Sequence, residues 1–322
     1  MTDRVLSFEN VVKEFGRFAA VDDLSFSVRP GEIFGFLGPN GAGKTTALRM
    51  ALDIIQPTSG RILVLGSKSA IPVRRRIGYL PEERGLYRKM KAADTIAYFA
   101  KLRGMSSGAA KRRANDLLKR FGLGDFAKTK NEALSKGMAQ KVQLLSTIAH
   151  EPELLILDEP FSGLDPINQH IFEELIRELR KEGRTIIFST HVMQHAERLC
   201  DRFLIIAKGK KRFEGTITEA RASFPPRLVL TTRDPVDALK RAPGVLSIEL
   251  VASRPDGEND YEITLARGAD PQAVLKAAFD AGLRLSRFEH AEASLHDIFV
   301  AMAGDGAAGD DREEAKNAEK AA

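Results

Sequence analysis

Residues 33–45 read IFGFLGPNGAGKT. The first five are apolar and predict a buried parallel strand. The remainder fits G-x-x-x-x-G-K-[ST], a loop that cradles phosphate when it lies between a strand and a helix. Glycines let the backbone wrap closely around a phosphate, and a helix predicted to begin near Gly43 adds its positive N-terminal end. The stretch predicts an α/β fold with a nucleotide-phosphate site.

The side chains of this loop have separate expected roles. Lys44 is predicted to contact the β- and γ-phosphates of ATP, and the Thr45 hydroxyl to ligate Mg²⁺. Nucleotide contacts are predicted for the whole loop and the residue after it: Gly38, Pro39, Asn40, Gly41, Ala42, Gly43, Lys44, Thr45 and Thr46.

A second apolar run, Leu154 to Leu157, ends in two carboxylates. If this strand runs parallel beside the first, Asp158 reaches the Mg²⁺ and Glu159 lies closer to the γ-phosphate. Glu159 could then orient and deprotonate the attacking water. Strand ends are often acidic, so the run alone is weak evidence. Together with the loop it predicts ATP hydrolysis.

His191 follows a third predicted strand, Thr185 to Thr190. Because the carboxyl ends of parallel strands share one edge, His191 is expected on the same rim as Lys44 and Glu159. An isolated histidine is more often structural. On this rim a neutral imidazole could instead donate to the γ-phosphate, so His191 is predicted to be catalytic.

Hydrophobic periodicity predicts the domain organisation. Strand and helix patterns alternate over residues 1–222, with a helical insert at about 90–150. Consecutive prolines, Pro225 and Pro226, mark a boundary. Residues 225–300 follow the order β-α-β-β-α-β of a small ferredoxin-like α+β domain. The Gly- and Ala-rich tail, residues 304–322, is predicted to be disordered.

Bulk composition narrows the class of protein. Hydrophobic residues make up 43% and charged residues 29% of the chain, as in globular proteins. No apolar run approaches the roughly 20 residues that span a bilayer, and no secretory signal is recognisable. The single cysteine, Cys200, excludes an intrachain disulfide and is interpreted as packing. The net charge of +5 arises from scattered basic runs, which favour solvated surface over attraction to an anionic membrane or nucleic acid.

Two further segments, LSKGMAQ at 134–140 and SGLD at 162–165, complete a resemblance to the ATP-binding subunits of ABC transporters over about residues 4–222. The resemblance implies a P-loop NTPase core of ABC type and a head-to-tail dimer around two ATP molecules. Ser135 and Gly137 would contact the partner's γ-phosphate from a helix start predicted at Met138. Asp165 resembles the cross-interface aspartate. Phe15 matches the position that stacks on adenine, although core packing is the alternative.

The resemblance has departures. Glu82 replaces the glutamine of the family, where it could still bind Mg²⁺ or water and is predicted as a metal and catalytic residue. Lys136 stands where glycine is usual and Met138 where glutamine is common. Lys136 could approach the γ-phosphate or point to solvent.

The small second domain, which ends in LHDIF at 295–299, resembles the export-type ATPase subunits whose membrane channel is a separate polypeptide. This predicts an energy-coupling subunit on the cytoplasmic face of the cell membrane, with a second copy of itself and an integral membrane permease as partners. The alternatives are a soluble ABC-type ATPase that acts on nucleic acid or ribosomes, and a nucleotide-gated binding protein. No nucleic acid is expected, because long heptad inserts and fused cores are missing from the sequence.

Overall fold

The structure is a computed structural model, which describes residues 4–83 and 85–303. These residues divide into two compact units: the first comprises the described residues up to Thr216 together with Met302 and Ala303, and the second comprises Ile217–Ala301. The sequence predicted a first domain that ends at residue 222, whereas the helix Ile217–Ala222 belongs to the second unit. The tail predicted to be disordered, residues 304–322, lies outside the described residues.

Two sheets carry the first unit. In chain order its strands are β1 (Leu6–Phe15), β2 (Phe18–Val28), β3 (Ile33–Leu37), β4 (Ser59–Val64), β5 (Ile77–Leu80), β6 (Leu154–Asp158), β7 (Thr185–Thr190), β8 (Arg202–Ala207) and β9 (Lys210–Gly215). A six-stranded sheet has the order β5-β6-β7-β3-β8-β9 and is parallel except at β9. The carboxyl ends of β3, β6 and β7 therefore meet at one edge. β3, β6 and β7 are buried throughout because helices or the second sheet cover both faces.

The second sheet is antiparallel, with the order β2-β1-β4. Phenylalanine rings join it to the central sheet: the Phe26 ring lies 4.6 Å from that of Phe8 and 5.7 Å from that of Phe34, both stacked. The alternating strand and helix pattern predicted from the sequence did not include this sheet. It places the turn between β1 and β2, at Gly16 and Arg17, beside the loop that follows β3.

Helices surround the central sheet. Those of the first unit are α1 (Lys44–Ala51), α2 (Ala92–Leu102), α3 (Ser107–Arg120), α4 (Lys136–Ile148), α5 (Pro166–Lys181) and α6 (Met193–Leu199), with 3-10 turns at Arg74–Arg76, Gly124–Phe126 and Asn131–Ala133. The helices α2, α3 and α4 lie in the stretch predicted as a helical insert, and their buried residues share one hydrophobic core with residues of the central sheet and of α5. α4 begins at Lys136 and not at Met138, because the Ser135 hydroxyl accepts a hydrogen bond from Met138 N and caps the helix there.

The second unit begins with α7 (Ile217–Ala222) and continues through β10 (Arg227–Thr232), a 3-10 helix (Asp237–Arg241), β11 (Val245–Ser253), β12 (Asn259–Leu265), α8 (Pro271–Asp280) and β13 (Leu285–Ala291) to α9 (Leu295–Ala303). Its antiparallel sheet has the order β11-β12-β10-β13, which is the ferredoxin-like arrangement predicted from the sequence. The first crossover is a 3-10 helix instead of the expected α-helix. The fold class is thus confirmed for both units.

Candidate active site

The loop between β3 and α1 has the backbone conformation that its glycines allow. Gly41 and Gly43 have φ values of 75° and 104°, in the region that disfavours other residues. A Cβ atom on Gly43 would also collide with the Ala20 carbonyl oxygen on β2. Gly43 caps α1, so the unpaired N–H groups of the first helical turn face the loop. The loop is therefore a concave, donor-rich anion site.

Lys44 is the charged residue at the centre of this loop. Its side chain is only 6% exposed. The ammonium donates hydrogen bonds to the carbonyl oxygens of Gly38, at 2.7 Å, and Pro39, at 3.2 Å. It also lies 3.4 Å from Glu159 Oε1 at the end of β6. A buried cation of this kind is held in place by several oxygen partners at once.

A cavity of about 480 Å³ opens over the loop. It is lined by Pro39 to Thr46, by Glu82 and Glu159, and by Phe15 and Phe18 from the β1–β2 turn. The two phenylalanines are 52% and 63% exposed, so Phe15 is not a core residue. They are paired across the two strands, and directly opposed residues project from the same face of a sheet. The Lys13 ammonium lies 5.0 Å from the centre of the Phe15 ring and covers one of its faces.

Asp158 is the most buried carboxylate of the site, at 1% exposure. Its Oδ1 accepts hydrogen bonds from the hydroxyls of Ser189, at 2.5 Å, and Thr45, at 3.2 Å, while Oδ2 has no hydrogen-bond partner. Burial raises the pKa of the Asp158 carboxyl above its ordinary value, although these two hydrogen bonds oppose the shift. A buried carboxylate oxygen without a partner beside a threonine hydroxyl is the donor set that a small hard cation uses.

Glu159 has a left-handed backbone, with φ of 46°, which is uncommon for a residue other than glycine. Its N–H donates to Ser189 Oγ at 3.0 Å. Its Oε1 is approached by Lys44 and, at 3.1 Å, by His191 Nδ1. The structure thus brings Lys44, Glu159 and His191 together at one edge of the sheet, as the strand order requires.

Glu82 lies after β5 and lines two cavities. One is the cavity over the loop, and the other, of about 340 Å³, is also lined by Asp158, Glu159 and Lys136. The Lys136 ammonium lies against Gly163, whose added Cβ would collide with it. Lys136 is therefore turned towards the segment that follows β6.

Ser135, Gly137 and Asp165 form a second group, outside the lining of both cavities. Asp165 caps α5, since its carboxylate accepts hydrogen bonds from the backbone and side-chain nitrogens of Asn168 at 2.9 and 2.5 Å. The same Asn168 amide packs against Gly137, 3.0 Å from where a Cβ would lie. The starts of α4 and α5 are thus neighbours. Ser135 and Asp165 are exposed, and the hydrogen bonds of Asp165 lower its pKa.

Known proteins resemble both units. Residues 21–162 match the ABC transporter family, and residues 215–303 match the C-terminal domain of DrrA1-3-like ATP-binding proteins. The uncharacterized ABC transporter ATP-binding protein YhaQ of Bacillus subtilis is 40% identical over 301 residues, which cover 93% of this chain and 99% of YhaQ. The chain belongs to the ATP-binding proteins of ABC transporters. It is accordingly a nucleotide-binding ATPase.

Other ABC proteins match over 68% to 93% of this chain. Nod factor export ATP-binding protein I of Burkholderia lata is 35% identical over 311 residues, or 93% of this chain and 97% of the relative. A solved ATP-binding subunit of an ABC transporter superposes with a TM-score of 0.63 at 32% identity, over 68% of this chain and 92% of that one. In the residues that the structure describes, no helix has the length and hydrophobicity needed to cross a membrane.

Several residues of this ABC site were not predicted from the sequence. Phe18 follows Phe15 across a two-residue turn, a spacing that would have signalled a hairpin pair. Ser189, inside the predicted strand, contacts both Asp158 and Glu159. Gln140 on α4 donates to the Pro160 carbonyl oxygen at 2.8 Å, a contact without a local signal in the sequence. Cys200 packs against the core as interpreted, and burial raises its thiol pKa well above the ordinary value.

Proposed function

We propose that this chain is the energy-coupling subunit of an ABC exporter. Two copies would bind two ATP molecules head to tail, and the closure of the pair would drive a separate membrane permease. One observation carries the proposal: Ser135 is exposed and Gly137 is half-buried at the start of α4, and both lie outside the cavity over the phosphate loop. One chain therefore has two anion sites, the phosphate loop and the start of α4. In a head-to-tail pair, the start of α4 in each copy would contact the nucleotide that is bound in the phosphate loop of the other copy.

ATP would bind with its phosphates in the loop that spans Gly38 to Thr46. Lys44 would exchange its contacts with loop carbonyls for the β- and γ-phosphate oxygens. The adenine would stack on the free face of Phe15, because Lys13 covers the other face. The exposure of Phe15 supports this role, since a ring that served packing alone would be buried.

Mg²⁺ would be held by oxygens of Thr45, Asp158 and Glu82. The partnerless Oδ2 atom of Asp158 supports this assignment, because a buried ionised oxygen is costly unless it meets a cation or donor. The ion would neutralise charge on the phosphates during transfer.

Glu159 would act as the general base towards the attacking water, and His191 would orient the γ-phosphate and the Glu159 carboxylate. The 3.1 Å contact between His191 Nδ1 and Glu159 Oε1 supports a shared task. Glu82, on the rim of both cavities, would contact the metal or its water.

The dimer interface would include Ser135, Gly137 and Asp165. Ile167, in the first turn of α5 beside Asp165, is 76% exposed and would be covered by the second copy. Export and a permease partner are supported by relatives such as the Nod factor export protein, and they imply a place on the cytoplasmic face of the membrane.

Glu159→Gln tests the proposal, because it keeps the shape of the side chain and removes the base. With ATP and Mg²⁺ the variant is expected to bind nucleotide, lose turnover and elute as a dimer whose mass is measured by light scattering. Turnover at the normal rate would exclude Glu159 as the base. A Glu159→Gln protein that holds ATP but stays monomeric would exclude the head-to-tail arrangement.

A matched pair of cap variants isolates the interface. Ser135 and Ser106 each cap a helix by accepting a backbone hydrogen bond, at 3.3 and 3.4 Å, and both are exposed. In the Glu159→Gln background, Ser135→Ala should weaken the ATP-dependent dimer while Ser106→Ala should not, although each loses about 1 kcal/mol of capping.

A second experiment tests the membrane partner. Purification of this chain from detergent-solubilised membranes should recover an integral membrane protein with it, and recovery of nucleic acid instead would contradict the transporter function.

A further inference from the structure

The dipeptide Glu159-Pro160 is anchored through every backbone hydrogen-bonding group that it has. The Glu159 N–H donates to Ser189 Oγ on β7, and the Glu159 carbonyl accepts from Ser162 N at 3.1 Å. Pro160 has no N–H, so its carbonyl oxygen is the one backbone group through which it can form a hydrogen bond. That oxygen accepts from Gln140 Nε2 at 2.8 Å.

The buried polar residues of α4 bond to different parts of the fold, and Gln143 donates to the Glu83 carbonyl oxygen after β5 at 3.2 Å. Ser146 bonds to a carbonyl of its own helix, and Thr147 to its own helix and to Tyr79 on β5. Gln140 is 9% exposed and reaches out of the helix to the turn that carries Glu159. Its Oε1 is buried without a partner, and the residue lines the 340 Å³ cavity together with Glu159 and Lys136.

The backbone at Glu159 needs such support. A non-glycine residue in the left-handed region carries strain that persists only where the surroundings fix it. Ser189 fixes the N–H of the strained residue, and Gln140 fixes the carbonyl of the residue that follows it. A displacement on the order of 1 Å at a catalytic group can cost about a hundredfold in rate. The hydrogen bond from Gln140 is therefore placed to influence the chemical step.

We propose that Gln140 is a positioning residue for Glu159: by holding the Pro160 carbonyl, it fixes the direction in which the catalytic carboxylate points. Because Gln140 lies on α4, the position of this helix, which Ser135 caps, sets the geometry of Glu159 in the same chain. The proposal rests on the role of Glu159 as general base given above.

Gln140→Met removes the donor at nearly constant volume. Its kcat is expected to fall by about tenfold to a hundredfold while the ATP dissociation constant stays within about twofold, because Gln140 does not line the phosphate-loop cavity. Thr147→Val is the matched control, since it deletes a buried hydrogen bond of the same helix. Its kcat is expected to remain near that of the wild type. Equal kcat for Gln140→Met and the control would overturn the proposal.

A double-mutant cycle separates positioning from a general packing role. In a Glu159→Ala background, Gln140→Met should cause no further loss of the residual single-turnover rate, because the group that it positions is gone. Additive losses would overturn the proposal. If Gln140→Met does not fold, Gln140→Leu serves both measurements. Wild-type protein that neither binds nor hydrolyses ATP would defeat the proposed function; intact wild-type turnover with an unaffected Gln140 variant would defeat this inference alone.

Discussion

The ammonium of Lys44 lies 3.4 Å from Oε1 of Glu159, and the two side chains are only 6% and 8% exposed. The cation of the phosphate loop and the carboxylate at the end of β6 thus form a buried ion pair. Removal of one partner from such a pair leaves an uncompensated charge in a poorly solvated place. The same two residues that would handle ATP also stabilise each other.

Lys44→Ala should therefore lose both nucleotide affinity and stability. We expect a stability loss on the order of 3 kcal/mol in denaturant titrations without nucleotide. The double variant Lys44→Ala/Glu159→Gln should recover most of that stability, because no buried charge is left alone, yet should still fail to bind ATP by calorimetry. Undiminished ATP binding by Lys44→Ala would remove the phosphate-loop assignment.

His191→Ala should act on turnover and little on binding. The imidazole contacts Glu159, so its loss should lower kcat by about a hundredfold, the usual contribution of an acid–base or orienting group. His170→Ala is the control, because His170 is exposed on α5 and pairs with Glu174. Equal steady-state rates for the two variants would show that His191 has no part in hydrolysis.

Phe15→Ala and Phe18→Ala should each weaken ATP binding. A base stacked on an aromatic ring gains about 1–3 kcal/mol, so we expect roughly a tenfold rise in the dissociation constant for a ring that contacts adenine. Affinity for inorganic tripolyphosphate should not change, since it has no base. Phe126→Ala, which removes another partly exposed ring, is the control. A parallel loss of tripolyphosphate affinity would indicate a disturbed loop instead of a lost base contact.

Asp158→Asn should abolish hydrolysis and raise stability. Burial raises the pKa of Asp158 above its unfolded value near 3.8, so the folded protein holds this proton more tightly than the unfolded chain. The contribution of the Asp158 proton to the free energy of unfolding is complete below the pKa of the unfolded chain. It is lost as pH rises through the pKa of Asp158 in the folded protein. The variant should therefore melt higher than wild type by about 2 °C or more at pH 8 in EDTA, and by less at pH 4. A gain in melting temperature that does not change with pH would show that the burial of the ionised Asp158 carboxylate is not its cause.

His150 should make stability fall with acid. Burial lowers its pKa from 6.5 to about 4, while the hydrogen bond to the Ile77 carbonyl opposes the shift. The unfolded chain binds the proton first, so the stabilising contribution is complete above pH 6.5 and is lost as pH falls towards 4. His150→Gln should flatten the dependence of unfolding free energy on pH in that window.

The local pattern of hydrophobic residues was enough to predict the central parallel strands of the first unit. The apolar runs at Ile33, Leu154 and Thr185 became β3, β6 and β7, because fully buried parallel strands leave an unbroken hydrophobic signal. The β1-β2-β4 sheet left no comparable signal. Buried and exposed residues are mixed along its strands, and register shifts interrupt the pairing of β1 with β2 and β4. The face that packs on the central sheet is recognisable only from the contact between Phe26 and Phe34.

The sequence by itself determined the phosphate loop, the two carboxylates at the end of β6, the buried parallel strands and the order of elements in the second unit, since each depends on neighbouring residues or on a simple period. Only the tertiary structure decided that Ser189 supports Asp158 and that Gln140 holds Pro160. These contacts join separate elements, and a hydrogen bond across the fold depends on how helices and strands pack. That packing depends on the whole core, so the residues that it brings together have no recognisable local sequence pattern.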